Sequence, residues 1–324
     1  MTGYYIAVII PAYKVEKKIK KVIENIPSFV EKIIVVDDAS PDSTGRILMD
    51  IHDQRLTILT HEQNQGVGGA MITGYNHAVS VGAEILVKMD GDDQMDPEKL
   101  PDLILPILNQ EADFTKGNRF LHQTQLQTMP LIRRIGNWGL TFLVKAASGY
   151  WQIFDPTNGY TAMHAKVWQN VNKSRISKDY FFESSLLTEM RFINAVVQDI
   201  YIPARYQDER SSMSIWKVLK SFPFRLIKAT LRRFIYQYYL FNFSFGSLAF
   251  ILGLFFILFG FIWGVIYWNE SRKTGIPATT GTVLIAVLPI ILGVQLILQV
   301  ISQDMNDIPT KPIQKFQNKM DNNL

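Results

Sequence analysis

The chain contains no cysteine. Disulfides and thiolate metal sites are therefore excluded, in agreement with a reducing compartment. Histidine is scarce, five in 324 residues, and none has the spacing of paired metal ligands. Charge is missing from two long stretches: no Asp, Glu, Lys or Arg occurs from Phe234 to Asn269, nor from Thr274 to Gln303. A helix needs about 20 apolar residues to cross a bilayer, and both stretches meet that length despite their glycines and Pro289. A secretory leader is not legible, because MTGYYIAVIIPAY has a short apolar run without a basic segment before it or a small-residue cleavage site. The expected organisation is a cytoplasmic α/β domain over residues 1–212, basic juxtamembrane helices over 213–236, two membrane helices over 237–304, and a cytoplasmic tail over 305–324.

The net charge of +4 is modest, and its placement says more. Arg205, Arg210, Lys217, Lys220, Arg225, Lys228, Arg232 and Arg233 crowd the approach to the first apolar stretch, and Lys311, Lys315 and Lys319 follow the second. The loop between, ESRKTGIPA, holds only Arg272 and Lys273. The positive-inside rule then puts both ends in the cytoplasm and the loop outside. The segment 214–234, with Trp216, Leu219, Leu226 and Ile227 among lysines and arginines, reads as one or two helices lying along the membrane surface. A membrane partner is expected and a nucleic-acid partner is not; exposed membrane helices also leave room for a homo-oligomer.

Before residue 212 the pattern alternates. YYIAVIIPAY (4–13), VEKIIVVDDAS (30–40), LTILTH (56–61) and EILVKMD (84–90) read as strands, separated by the helical patterns 14–26, 41–54 and 66–83. Such alternation predicts a mostly parallel, Rossmann-like sheet with helices on both faces. Ligands of such sheets bind beyond the carboxyl ends of the strands, where Pro11–Tyr13, Asp37–Asp38 and Asp90–Gln94 stand. Further strands are expected in 111–120, 154–171 and 196–207, and helices in 131–148 and 180–195.

KMDGDDQMDP places four carboxylates within a few residues of a strand end. Asp90-Gly-Asp92 offers hard oxygen ligands for Mg²⁺ or Mn²⁺, which take one or two carboxylates and fill their other positions with water and phosphate. An EF-hand does not fit, since no Glu closes a twelve-residue loop. Asp96 before Pro97 suits a helix N-cap, and Asp93 is left without a role. The glycines of GVGGA do not follow the first strand, so they are not a dinucleotide fingerprint; they permit close backbone packing.

VVDDASPDST, NQGVGGAMITGYNHA and VKMDGDDQMDPEKLP, in that order, resemble a family 2 glycosyltransferase of the GT-A type. With KGNRF, DPTNGY, RSSMS and two apolar C-terminal stretches, the resemblance over residues 6–215 is closer to polyprenyl-phosphate hexosyltransferases, a group that includes dolichyl-phosphate mannose synthase and the bactoprenol glucosyltransferases. It implies an inverting, metal-dependent transfer from a nucleotide sugar, with UDP-glucose expected from the subgroup, to polyprenyl phosphate at the cytoplasmic face. Pro11, Ala12 and Tyr13 would lie beside the base, Asp38 or Asp37 would hold base or ribose, and Asp90 would serve the donor. Asp90, Asp92 and Gln94 would hold the metal, making Asp92 catalytic. Asp155 of DPTNGY matches the position of a base in the family. Arg119, Arg133 or Arg134, and Arg210 would hold the acceptor phosphate, to which planar guanidinium groups are suited. Where relatives have PAYNE this chain has PAYKVE, so Lys14 and Val15 depart from the pattern and Glu16 is the remaining acid. A processive polysaccharide synthase shares the catalytic fold, but its Gln-x-x-Arg-Trp motif is missing. A catalytically inactive, membrane-tethered lipid-binding protein is the reading from another class.

Overall fold

A computed structural model describes residues 3–119, 131–156, 158–202, 215–241 and 243–315, with 131–137 and 215–221 described as backbone alone. The chain divides into two compact units, Met1–Thr230 with Pro309–Leu324, and Leu231–Ile308.

The first unit is built on seven strands, β1 (Ile6–Ala12), β2 (Lys32–Asp37), β3 (Leu56–Thr60), β4 (Ile85–Lys88), β5 (Phe114–Asn118), β6 (Thr161–His164) and β7 (Val197–Tyr201), in the order β3-β2-β1-β4-β6-β5-β7. Only β6 runs against its neighbours, so the expected mostly parallel GT-A-like sheet is present. The helices are α1 (Ile19–Glu24), α2 (Thr44–Met49), α3 (Val67–Ser80), α4 (Leu100–Leu108), α5 (Leu131–Ser148), α6 (Ala165–Asn170) and α7 (Phe182–Phe192). Strand side chains alternate between faces. Ala7 and Ile9 of β1 therefore join the core with α3, α5 and α7, while Ile6, Val8 and Ile10 join the opposite core with α1 and α4. Both faces being covered is why IAVIIPA is apolar throughout rather than alternating.

This topology gathers the polar strand ends. The parallel register pairs Ala12 with Asp37 and Ile9 with Lys88, bringing the ends of β1, β2 and β4 to one edge. Because β6 is reversed, the turn before it, which contains Asp155 and Gly159, reaches the same edge as the end of β5.

After the second apolar helix the chain returns to the first unit. Asp113 accepts hydrogen bonds from the backbone N–H of Val196 (2.8 Å), Ile313 (2.9 Å) and Gln314 (3.3 Å), and the Gln314 amide donates to the carbonyls of Ile107 and Ala112. Residues 309–315 are thus packed on the sheet domain rather than free as a tail.

A single helix, α8 (Ile215–Ile235), covers the basic segment and contains Pro223. Phe222 and Leu226 are buried in the first unit's core, whereas Phe224, Ile227, Leu231 and Ile235 form an exposed apolar stripe at helical spacing. Leu226, expected among the membrane-facing residues, points instead into protein.

In the second unit, α9 (Phe245–Thr274) and α10 (Thr280–Asn306) are long and apolar enough to cross a membrane. They pack through glycine: a Cβ on Gly260 would lie 2.4 Å from the Ala286 carbonyl, and one on Gly293 would lie 2.6 Å from the Gly253 carbonyl. α9 extends through ESRKT to a left-handed cap at Gly275, leaving a shorter loop than the sequence pattern indicates. Arg272 and Lys273 in its last turn complement the helix dipole. At the other end, buried Arg233 grips Asp304 with two hydrogen bonds of 2.7 and 2.8 Å, and the Tyr238 hydroxyl donates to the same carboxylate.

One substitution probes the sheet domain. A Cβ on Gly74 of α3 would lie 2.4 Å from Ile9 Cγ2 and 3.3 Å from Val36 Cγ2. Gly74→Ala is expected to cost about 1–3 kcal/mol by overpacking, read as a melting temperature several degrees lower in detergent.

Candidate active site

A cavity of about 460 Å³ opens at this edge, within the usual size of a small-ligand site. Pro11, Ala12, Tyr13, Asp38, Asp90 and Asp92 line it, together with Lys88, Gly159, Asp179 and Glu183. The sequence-predicted donor residues therefore converge, with Asp37 and Gln94 the exceptions.

Asp38 is 3% exposed and its carboxylate is fully engaged. His61 Nδ1 lies 2.6 Å from one oxygen, and the backbone N–H groups of Gln65 and Gly66 donate at 2.8 Å. Asp38 therefore shapes the loop that enters α3. Asp37 accepts from the Ser40 N–H and faces α2, where a Cβ on Gly45 would lie 2.9 Å from its Oδ2. Glu16 accepts from the Ser43 N–H at the start of α2, which is its structural task. Lys14 has φ 58°, a left-handed conformation that Asn tolerates better than Lys.

The GVGGA glycines pack backbone against backbone. A Cβ on Gly66 would lie 2.6 Å from the Lys178 carbonyl, and one on Gly68 2.1 Å from that of Ser177. The loop 177–181 so positioned brings Asp179 and Tyr180 to the cavity. Arg225 of α8 holds it from the other side, donating to Asp179 (2.7 Å) and Ser177 (2.8 Å) while lying over the Phe181 ring.

The carboxylates of KMDGDDQMDP separate into distinct tasks. Asp90 and Asp92 line the cavity, and Asp92 Oδ1 accepts from the Gln94 N–H. Gln94 itself is exposed and does not line the cavity. Asp93, at φ 59°, is buried and pairs with Lys21 at 2.5 Å. Asp96 caps the 3₁₀ turn Pro97–Lys99 that leads into α4, accepting from the Glu98 N–H. Among the described residues no three His, Cys, Asp or Glu form a metal cage. Two half-buried carboxylates on one cavity wall nevertheless fit Mg²⁺ or Mn²⁺, whose remaining ligands would be water and phosphate oxygens.

Two residues in this wall carry weight that sequence reasoning did not assign. Lys88, the last residue of β4, is 2% exposed, and its Nζ lies 3.0 Å from both Asp90 Oδ1 and Glu183 Oε1. Burial alone would push its pKa down, but the two carboxylates together hold it above the ordinary lysine range. Gly159 makes room for the cluster, since a Cβ there would lie 2.5 Å from Lys88 Nζ and 2.8 Å from Asp90 Oδ2. A lysine inside an otherwise apolar strand was the available signal; its partner Glu183 lies 95 residues away.

Arg119 and Asp155 are brought together. Arg119 Nε and Nη2 donate to the two oxygens of Asp155 at 2.7 and 3.1 Å, and Asp155 is 1% exposed. Beside them, burial drops Lys116 to about 8 and lifts Asp199 to about 6. Lys116 Nζ donates to the Asn158 carbonyl, and Asp199 accepts from the Phe154 N–H and the Asn118 amide. The backbone of Arg133 and Arg134 lies on α5, whose first residues are described without side chains, and Arg210 lies outside the described residues.

Residues 7–171 match the family described as glycosyl transferase family 2. The chain belongs to that family. It is a glycosyltransferase with a GT-A fold and two candidate membrane helices. It is 33% identical over 195 residues to UDP-N-acetylglucosamine–dolichyl-phosphate N-acetylglucosaminyltransferase of Methanococcus voltae, a match covering 56% of this chain and 77% of that one. It is 31% identical to undecaprenyl-phosphate mannosyltransferase of Micrococcus luteus, covering 47% of this chain and 62% of that one. Its fold is similar to that of glucosyl-3-phosphoglycerate synthase from Mycobacterium tuberculosis, solved with UDP, at TM-score 0.53 and 20% identity over 71% of this chain and 80% of that one. The same enzyme solved with Mg²⁺ and UDP gives TM-score 0.52 at 18% identity, covering 71% and 79% of the two chains.

The lowered Lys116 pKa has a measurable consequence. Between about pH 8 and 10.5 the unfolded chain holds a proton on Lys116 that the folded chain has released, so this group makes stability rise with pH across that window. The slope is at most about 1.4 kcal/mol per pH unit. Lys116→Met is expected to remove that rise, checked by melting temperatures from about pH 8 to 10 for both proteins.

Proposed function

We propose that the protein transfers one hexose from a nucleotide sugar to a polyprenyl phosphate, with inversion, at the cytoplasmic membrane face. The observation carrying this reading is the nucleotide-sized cavity with Asp90 and Asp92 on its wall, in a chain that also carries two apolar hairpin helices and a surface helix with an exposed apolar stripe. The acceptors in the relatives' names, dolichyl and undecaprenyl phosphate, agree with it. The chain enters and leaves the helix pair from the same unit, which fits both flanks lying on one membrane face. Their basic residues favour the cytoplasmic side.

Pro11, Ala12 and Tyr13 would border the nucleoside, with Asp38 shaping that wall. Asp90 and Asp92, with Gln94 if its side chain turns inward, would hold Mg²⁺ or Mn²⁺, which when bound offsets charge growing on the departing diphosphate. An acceptor phosphate oxygen would form the new bond to the anomeric carbon. The bond to the diphosphate breaks and its electron pair leaves with that group. A phosphate monoester is already anionic near neutral pH, so positioning outweighs base catalysis. Arg119 would hold the acceptor phosphate, with Arg133, Arg134 and Arg210 as further cations, and Asp155 would orient Arg119. The sugar is proposed as a hexose: UDP-glucose is expected from the sequence, while the relatives' names point to N-acetylglucosamine or mannose.

Labelled UDP-glucose, UDP-N-acetylglucosamine and GDP-mannose, offered to membranes with polyprenyl phosphate and Mn²⁺, test the reaction. One of them is expected to yield a lipid carrying a single sugar; a growing polymer would favour a processive synthase. Asp92→Ala is expected to lower transfer by about 10²–10³-fold or more while leaving the fold intact by circular dichroism. Full activity without a divalent ion would remove the metal role.

Asp155→Asn separates its two roles. Loss of Arg119 orientation is expected to raise KM for the lipid phosphate about tenfold. A fall in kcat at unchanged KM would instead make Asp155 a base.

A further inference from the structure

Glu183 stands in the cavity wall without a task in the metal or acceptor roles. It projects from the first turn of α7, its side chain is 16% exposed, and Oε1 receives the Lys88 ammonium at 3.0 Å. Among the described residues Oε2 accepts no hydrogen bond, yet it is not sealed from solvent. Lys88 joins this carboxylate to Asp90, so both acids lie within hydrogen-bond reach of a single nitrogen. In a nucleotide sugar the anomeric carbon is one oxygen away from the second phosphate. A diphosphate held at Asp90 and Asp92 therefore sets its sugar ring beside them, within reach of an acid one ammonium away. Gly159, lacking a Cβ, keeps that wall open around Lys88 and Asp90. A carboxylate accepts hydrogen bonds strongly and donates none when ionised, which matches a row of sugar hydroxyl donors.

We propose that Glu183 is a specificity-determining residue that accepts hydrogen bonds from hydroxyls of the transferred sugar, and that Lys88 is the positioning residue fixing it relative to Asp90. The inference rests on the nucleotide-sugar reading above. It assigns the sugar end of the cavity to α7, whereas the nucleoside end is built from β1 and the loop before α3. Epimers differing by one hydroxyl would then be distinguished by whether that hydroxyl meets Oε2, because an acceptor that the bound sugar covers without supplying a donor weakens binding.

The test is calorimetric titration of the full-length protein in detergent with Mn²⁺, using UDP, GDP, UDP-glucose, UDP-N-acetylglucosamine and GDP-mannose. Glu183→Gln is expected to weaken the preferred sugar nucleotide about tenfold or more while leaving the bare diphosphate within about twofold, and to narrow discrimination among the donors. Equal loss for sugar nucleotide and bare diphosphate would make Glu183 only a scaffold for Lys88 and Asp90, overturning the proposal, as would no loss at all. Glu183→Asp keeps a charge for Lys88 but shortens the reach, and is expected to show the same selective loss if the Gln variant fails to fold. Wild-type protein binding the diphosphates but no sugar nucleotide more selectively than another would also overturn it. Wild type that binds none of the five would overturn the donor reading itself.

Discussion

The cavity-bearing edge of the sheet depends on one buried ammonium. Parallel strands bring their carboxyl ends together, and here those ends deliver Asp90 and Asp92 to a wall that also receives Glu183. Buried like charges are costly unless compensated. Lys88 supplies the compensation from within the sheet, where β-strand alternation points it toward the cavity side shared by Ile9's neighbours and α7. Glycine at 159 is the steric counterpart of this charge balance, because any side chain there would meet the ammonium and its partner carboxylate. Charge and space at this point are therefore set together by β4, α7 and the turn before β6.

The same constraint explains the reversed strand. If β6 ran parallel to β4, its preceding turn would lie at the opposite edge, and Asp155, Asn158 and Gly159 could not reach the ends of β4 and β5. Antiparallel pairing puts Asp155 against Arg119 and the Asn158 carbonyl against Lys116. The irregular half of the sheet is thus the half that closes the site, while β1, β2 and β3 provide the regular, apolar platform.

Much of this was legible where the signal is local. The alternating pattern of residues 4–90 located four strands, and Asp96 before Pro97 marked a cap that accepts from the Glu98 N–H. What escaped depends on distant partners. Asp93 finds Lys21, 72 residues earlier, and Glu183 finds Lys88 across 95 residues; neither separation leaves a periodic trace. The helix containing Glu183 reads as amphipathic, yet Ser184, Ser185, Thr188, Glu189 and Arg191 are all buried. A helix wedged between a core and a polar cavity has no simple solvent face, so a hydrophobic pattern understates its burial. The segment 214–234 shows the converse: Arg225 and Arg233 look like lipid-facing cations, but they bind Asp179 and Asp304.

These pairings bear on what kind of chemistry the site can support. Asp38 is saturated by His61 and two backbone N–H groups, Asp155 holds a guanidinium with both oxygens, and Asp90 is tied to Lys88. Both oxygens of Asp38 and both of Asp155 already hold donors, so neither carboxylate can take a further partner without giving one up. An acceptor that arrives ionised needs only to be aligned, and aligned acids and cations are what the edge contains. Such an edge suits the ionised phosphate acceptor proposed above, whose reaction calls for alignment more than for a base.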